Sequence, residues 1–168
     1  MSQRHTTCRK LGNSQGFTLV ELMVTVAVMV ILAAVAMPSM TAMINNGRVV
    51  GQTEELVTAL QLARAEAIRR NARVTVCAGA GGVCNGSATW GNYTIFGRDN
   101  TLAVPVNDVI RDTSATTSVS VTGPAAGIVY KPSGMIDAQR TLEVDKYGNK
   151  RCLSVLISGV VTVSKGAC

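Results

Sequence analysis

The chain has 168 residues, of which 47% are hydrophobic, 15% charged and 4% aromatic, with a formal net charge of +6. That length fits one domain plus an anchor, and the low charge reflects one apolar segment rather than a disordered chain. Without a basic leader that holds Arg4, His5, Arg9 and Lys10, no histidine remains and thirteen basic residues face ten acidic ones, which excludes histidine triads and histidine metal sites and is not a nucleic-acid-binding composition by itself.

The leader ends at Gly16, and residues 17–37 follow as an apolar run, FTLVELMVTVAVMVILAAVAM. As a helix this run spans about 31 Å, which matches a bilayer core of roughly 30 Å. The leader charges keep the N-terminus cytoplasmic. Glu21 sits five residues into the run, where a carboxylate is costly and usually marks a function. Three readings stand. An ordinary secretory signal would be cut after Ala34-Val35-Ala36. A plain signal anchor accounts for the length but not for Glu21. The third is a class III signal, because Gly16-Phe17-Thr18-Leu19-Val20-Glu21 resembles the cleavage and methylation site of type IV pilins and type II secretion pseudopilins.

That resemblance implies several roles. A prepilin peptidase cuts after Gly16, Phe17 becomes the N-methylated first residue, and Glu21 becomes the fifth. Pro38 falls at the helix-kinking proline of many pilins, where a lost backbone bond bends the axis. In a filament, buried Glu21 pairs with the Phe17 amine of a neighbouring subunit; a paired buried charge sets register where an unpaired one is very costly.

The helix is expected to continue through 38–71. Val49, Leu56, Leu60, Ala63 and Ala67 recur at helical spacing. Gly47 and Gly51 weaken its start, and Arg69 and Arg70 suit its negative C-terminal end. From 72 to 168 short β-branched runs alternate with turn residues. The expected strands are Val74–Cys77, Tyr93–Phe96, Val119–Val121, Gly127–Tyr130, Thr141–Val144, Leu153–Ile157 and Val160–Val163, with turns at 132–134, 147–149 and 158–159. Leu153–Ile157 and Val160–Val163 read as a hairpin. Residues 78–91 read as a glycine-rich loop, and 97–118 resist assignment. The run Gly79-Ala80-Gly81-Gly82 lacks the Lys-Ser/Thr of a phosphate loop.

Cys77, Cys84, Cys152 and Cys168 make an even set, which reads as disulfides in an exported chain. Local pairing would bridge the glycine-rich turn and pin the C-terminus to a strand. Four cysteines allow three connectivities, and the pairing stays open. A four-thiolate zinc site is the rival, but the usual C-x(2–4)-C spacing is absent.

Ala63–Asn71 with Val74–Cys77, Trp90–Phe96, and Arg151-Cys152-Leu153-Ser154 with a late Ser-Gly turn and a last cysteine resemble the GspH/FimT family of minor pilins and pseudopilins. The resemblance implies an α+β fold, with a long N-terminal helix, transmembrane in its first half, packed on a C-terminal antiparallel β-sheet domain. It implies a structural subunit that primes or caps a filament, with no cofactor, no metal and no enzymatic activity. The implied partners are other minor pilins or pseudopilins, the major subunit, the prepilin peptidase, the assembly platform and the inner membrane, with the β domain periplasmic. Some FimT-type members bind DNA through a C-terminal Gly-Arg-x-Arg motif. The matching turn here is Gly159-Val160-Val161-Thr162, without either arginine. Lys146, Lys150, Arg151 and Lys165 remain as a candidate basic patch. A DNA-binding competence pilin and a monomeric periplasmic domain are the alternatives.

Overall fold

The structure, a computed structural model, describes residues 16–99, 106–114 and 118–168. The expected leader up to Gln15 lies outside the described residues, as do the side chains of the Val35–Ala36 half of the A-x-A site and of Pro38.

One helix, α1, runs Leu19–Arg70. Its first turn is closed by a cap: the Glu21 amide donates to Thr18 Oγ1 at 3.2 Å. Thr18 thereby satisfies one of the backbone donors that a helix start leaves unpaired. The helix continues through Gly47 and Gly51. Its far end closes on Asn71, whose φ of 49° is a left-handed conformation that asparagine tolerates. The Ala72 amide donates to the Ala67 carbonyl and the Asn71 amide to Ile68, both at 3.2 Å. That pair of bonds is a Schellman motif, and it satisfies carbonyls the helix cannot.

The chain divides into two compact units, residues 1–40 and 41–168. In the first, the described apolar side chains of α1 are exposed. In the second, Val49, Leu56, Ala59, Leu60, Ala63 and Ala67 of α1 are buried in one cluster with side chains from two antiparallel sheets. The first sheet holds β1 (Val74–Ala80), β2 (Val83–Cys84), β3 (Asn92–Asp99), β4 (Val106–Ser114) and β6 (Ile128–Tyr130). Its order is β2-β1-β3-β4, with β6 sharing the outer edge of β1. The second holds β5 (Ser120–Thr122), β7 (Arg140–Lys146), β8 (Asn149–Val155) and β9 (Val161–Lys165), in the order β5-β7-β8-β9. Val74, Val76, Tyr93, Ile95, Ile128 and Tyr130 fill the core from the first sheet, and Leu142, Val144, Leu153 and Val155 from the second.

Two expectations change. The loop expected at 78–91 contains the end of β1 and all of β2, and β4 lies in the unassigned 97–118. The expected antiparallel β domain is built from two sheets. The strand expected to reach Ile157 stops at Val155, because the Ile157 carbonyl leaves the ladder and accepts the Ile136 amide at 3.0 Å.

Candidate functional site

The described N-terminal segment begins with Gly16, Phe17 and Thr18 ahead of the helix. Phe17 is 80% exposed, and every large apolar residue from Leu19 to Leu32 is at least half exposed. Burying each such side chain is worth about 1.5–3 kcal/mol. This surface therefore calls for a partner, since apolar patches of such extent mark interaction sites. Glu21 is the one charged residue between Gly16 and Ala34, and it is exposed in the single chain. Among the described residues no helix is long and apolar enough to cross a membrane. Thr18 was not singled out by sequence reasoning. The signal was available as Thr-x-x-Glu, a capping-box spacing directly before an apolar run.

Cys77 is bonded to Cys84, with Cα atoms 5.6 Å apart, and Cys152 to Cys168, with Cα atoms 5.0 Å apart. The first bridge crosses the β1–β2 hairpin. The second ties Cys168 back to β8, where its Sγ also lies 3.2 Å from the Leu142 carbonyl. The four thiols therefore sit as two pairs on different sheets. The glycine run 79–82 forms the hairpin turn, and its amides are already used: Gly81 donates to Asp112 Oδ2 at 3.0 Å and Gly82 to Thr94 Oγ1 at 3.1 Å. A phosphate would have to displace a carboxylate there.

Three of the four candidate basic residues, Lys150, Arg151 and Lys165, line one cavity of about 300 Å³, and Lys146 lines another. Side chains on a strand alternate between faces. Lys150 points away from the core and bonds Glu143 Oε1 at 2.6 Å, which raises its pKa and lowers that of Glu143. Arg151, next along β8, belongs to the face of Leu153 and Val155. Lys165 pairs with Arg151 in register, and Lys146 ends the same inward row of β7 as Leu142 and Val144. The β8–β9 connection is apolar where the DNA motif would be basic, with Leu156, Ile157 and Val160 exposed.

Arg64 joins α1 to this connection. It donates from Nε to the Gly134 carbonyl at 3.1 Å and from Nη2 to the Ser158 carbonyl at 3.0 Å. Sequence reasoning missed it, because a lone arginine in an amphipathic helix carries no sign of a distant backbone partner.

The family model for type II transport protein GspH matches residues 52–160, and that for the prokaryotic N-terminal methylation motif matches residues 11–37. No curated protein matches the chain. Among solved structures, the type IV minor pilin FimU of Pseudomonas aeruginosa is 20% identical, covering 70% of this chain and 89% of that one with a TM-score of 0.53. The minor pseudopilin EpsH of the Vibrio cholerae type II secretion system is 11% identical, covering 74% and 98% with a TM-score of 0.53. Those two share the helix-on-antiparallel-sheet fold, and the methylation motif with the family implies membrane-anchored assembly. With the family match over most of its length, the chain belongs to the GspH family and is a subunit of the minor pilin and pseudopilin class.

Proposed function

We propose that this subunit is held in the inner membrane by residues 17–37 and is then drawn into a pilus or pseudopilus, where it primes or caps assembly. The observation that carries this reading is the exposed apolar face from Phe17 to Leu32, bearing a single carboxylate at Glu21, five positions after Gly16. Prepilin peptidase cuts after Gly16, and Phe17 is methylated. Glu21 then accepts the Phe17 amine of a neighbouring subunit as the apolar faces pack. Pro38 bends the helix where the anchor gives way to residues 38–71. Residues 72–168 face the periplasm. The partners are other minor subunits, the major subunit and the assembly platform, and the role is structural rather than catalytic. Intact-protein mass of membrane-extracted material tests the first step. It is expected to give a chain starting at methylated Phe17, and a chain starting at Met1 or Met37 overturns the reading.

A further inference from the structure

A cavity of about 490 Å³ opens between α1, β5 and the β7–β8 hairpin, lined by Arg48, Ser118, Val119, Ser120, Asp145, Lys146 and Tyr147. Lys146 is only 6% exposed. Its ammonium lies 5.6 Å from the Tyr147 ring centroid, and among the described residues no carboxylate pairs with it or with Arg48. Asp145 lines the cavity too, but its Oδ1 accepts the Gly148 amide at 3.1 Å and so caps the turn. Ser118 adds a buried hydroxyl that has no hydrogen-bond partner. Burial, and then the nearby Arg48 charge, push the Lys146 ammonium below its ordinary pKa. Two cations and a residue with an unused hydroxyl thus line one space, together with the Asp145 carboxylate.

We propose that this cavity binds a phosphoryl group, with Arg48, Lys146 and Ser118 as its donors. A planar carboxylate is satisfied by the fork of one guanidinium. A guanidinium, an ammonium and a hydroxyl instead suit oxygens arranged in a tetrahedron. The negative charge also supplies what a buried lysine beside an arginine lacks. Inorganic phosphate and a phospholipid head group share this chemistry. The site does not depend on the filament reading, because its residues all lie in the unit 41–168.

The test is a titration of potassium phosphate into the full-length ¹⁵N-labelled chain in neutral maltoside micelles, with potassium chloride holding ionic strength constant. Saturable amide shifts are expected at Ser118, Ser120, Lys146 and Tyr147. Arg48→Gln and Lys146→Gln are each expected to weaken binding about tenfold or more, as lost hydrogen bonds to a charged group do. Ser118→Ala, a milder change, covers the case in which the lysine variant fails to fold, and it too weakens binding. Acetate at equal ionic strength leaves these amides in place. A second titration uses micelles doped with phosphatidylglycerol. Movement of the same amides there supports the site with a head group as its source, and movement with free phosphate alone supports it with a soluble source. No saturable shift in either arm, equal shifts in the variants, or shifts of equal size with acetate overturn the proposal.

Discussion

The carbonyl oxygen of Gly134 lies 3.1 Å from Nε of Arg64, which puts a turn seventy residues away directly onto α1. The same oxygen limits Gly159, where a Cβ would come within 1.9 Å of it, at a φ of 78° that already disfavours any side chain. Gly159→Ala is therefore expected to cost at least about 2 kcal/mol, from left-handed strain and the clash together. Arg64→Met should cost about 2–3 kcal/mol, since two carbonyls lose a charged donor. Urea unfolding followed by Trp90 emission reads both, because Trp90 is the one tryptophan and is fully buried.

Acid should weaken the helix end. Hydrogen bonds from Arg69 and then Arg70 pull the Glu66 carboxyl down from 4.5 to about 2. A carboxylate with a lowered folded pKa stabilises the fold above its unfolded value, and that share is lost as pH falls from about 4.5 towards 2. Glu66→Gln is expected to cost about 1–2 kcal/mol at pH 7, because exposed Arg69 is partly screened by water. The variant should also flatten the fall in stability between pH 4.5 and 2. Glu143 and Asp137 are also held below their ordinary values, by Lys150 and Lys131, and keep part of the slope. Denaturant midpoints at half-unit pH steps check the difference between the two chains.

The two disulfides should differ in weight. In the chain-entropy model a seven-residue loop is worth about 2 kcal/mol and a sixteen-residue loop about 3 kcal/mol. Replacing Cys152 and Cys168 with serine is thus expected to lower stability more than replacing Cys77 and Cys84. Unfolding of both double variants under oxidising conditions decides the order.

Glu21→Ala should leave membrane insertion intact, since it removes a costly charge from an apolar stretch. Incorporation into purified filaments is expected to fall. Thr18→Ala tests the cap separately and should fray the first helical turn at a cost of about 1 kcal/mol. Wild-type incorporation of the Glu21 variant would remove the docking role while leaving the cap in place.

Much of this was legible in residue order. Val49, Leu56, Leu60, Ala63 and Ala67 repeat every three, four or seven residues, and a helix burying that face is the natural result. The strand cores alternate clearly at Val74 and Val76, and again at Leu142 and Val144. β4 was not legible: its residues, VNDVIRDTS, are mostly polar, since it is an edge strand whose side chains face solvent more than core. β2 was hidden because two residues paired across a glycine turn leave no periodic trace. Of the candidate basic residues, Lys150, Arg151 and Lys165 line one cavity, because β8 and β9 pair Arg151 with Lys165 in register, while Lys146 lines another. The Arg48–Lys146 cavity was invisible, because it joins residues almost a hundred positions apart.

Arg70 bonds Asp108 of β4 at 2.7 Å, one and a half turns beyond the Arg64 contact with the turns that flank the second sheet. The last turns of α1 are thus riveted to both sheets at once. A pull along the helix axis would load these two guanidinium attachments and the buried Ala67 between them together, in shear. Such a joint yields all at once rather than peeling bond by bond.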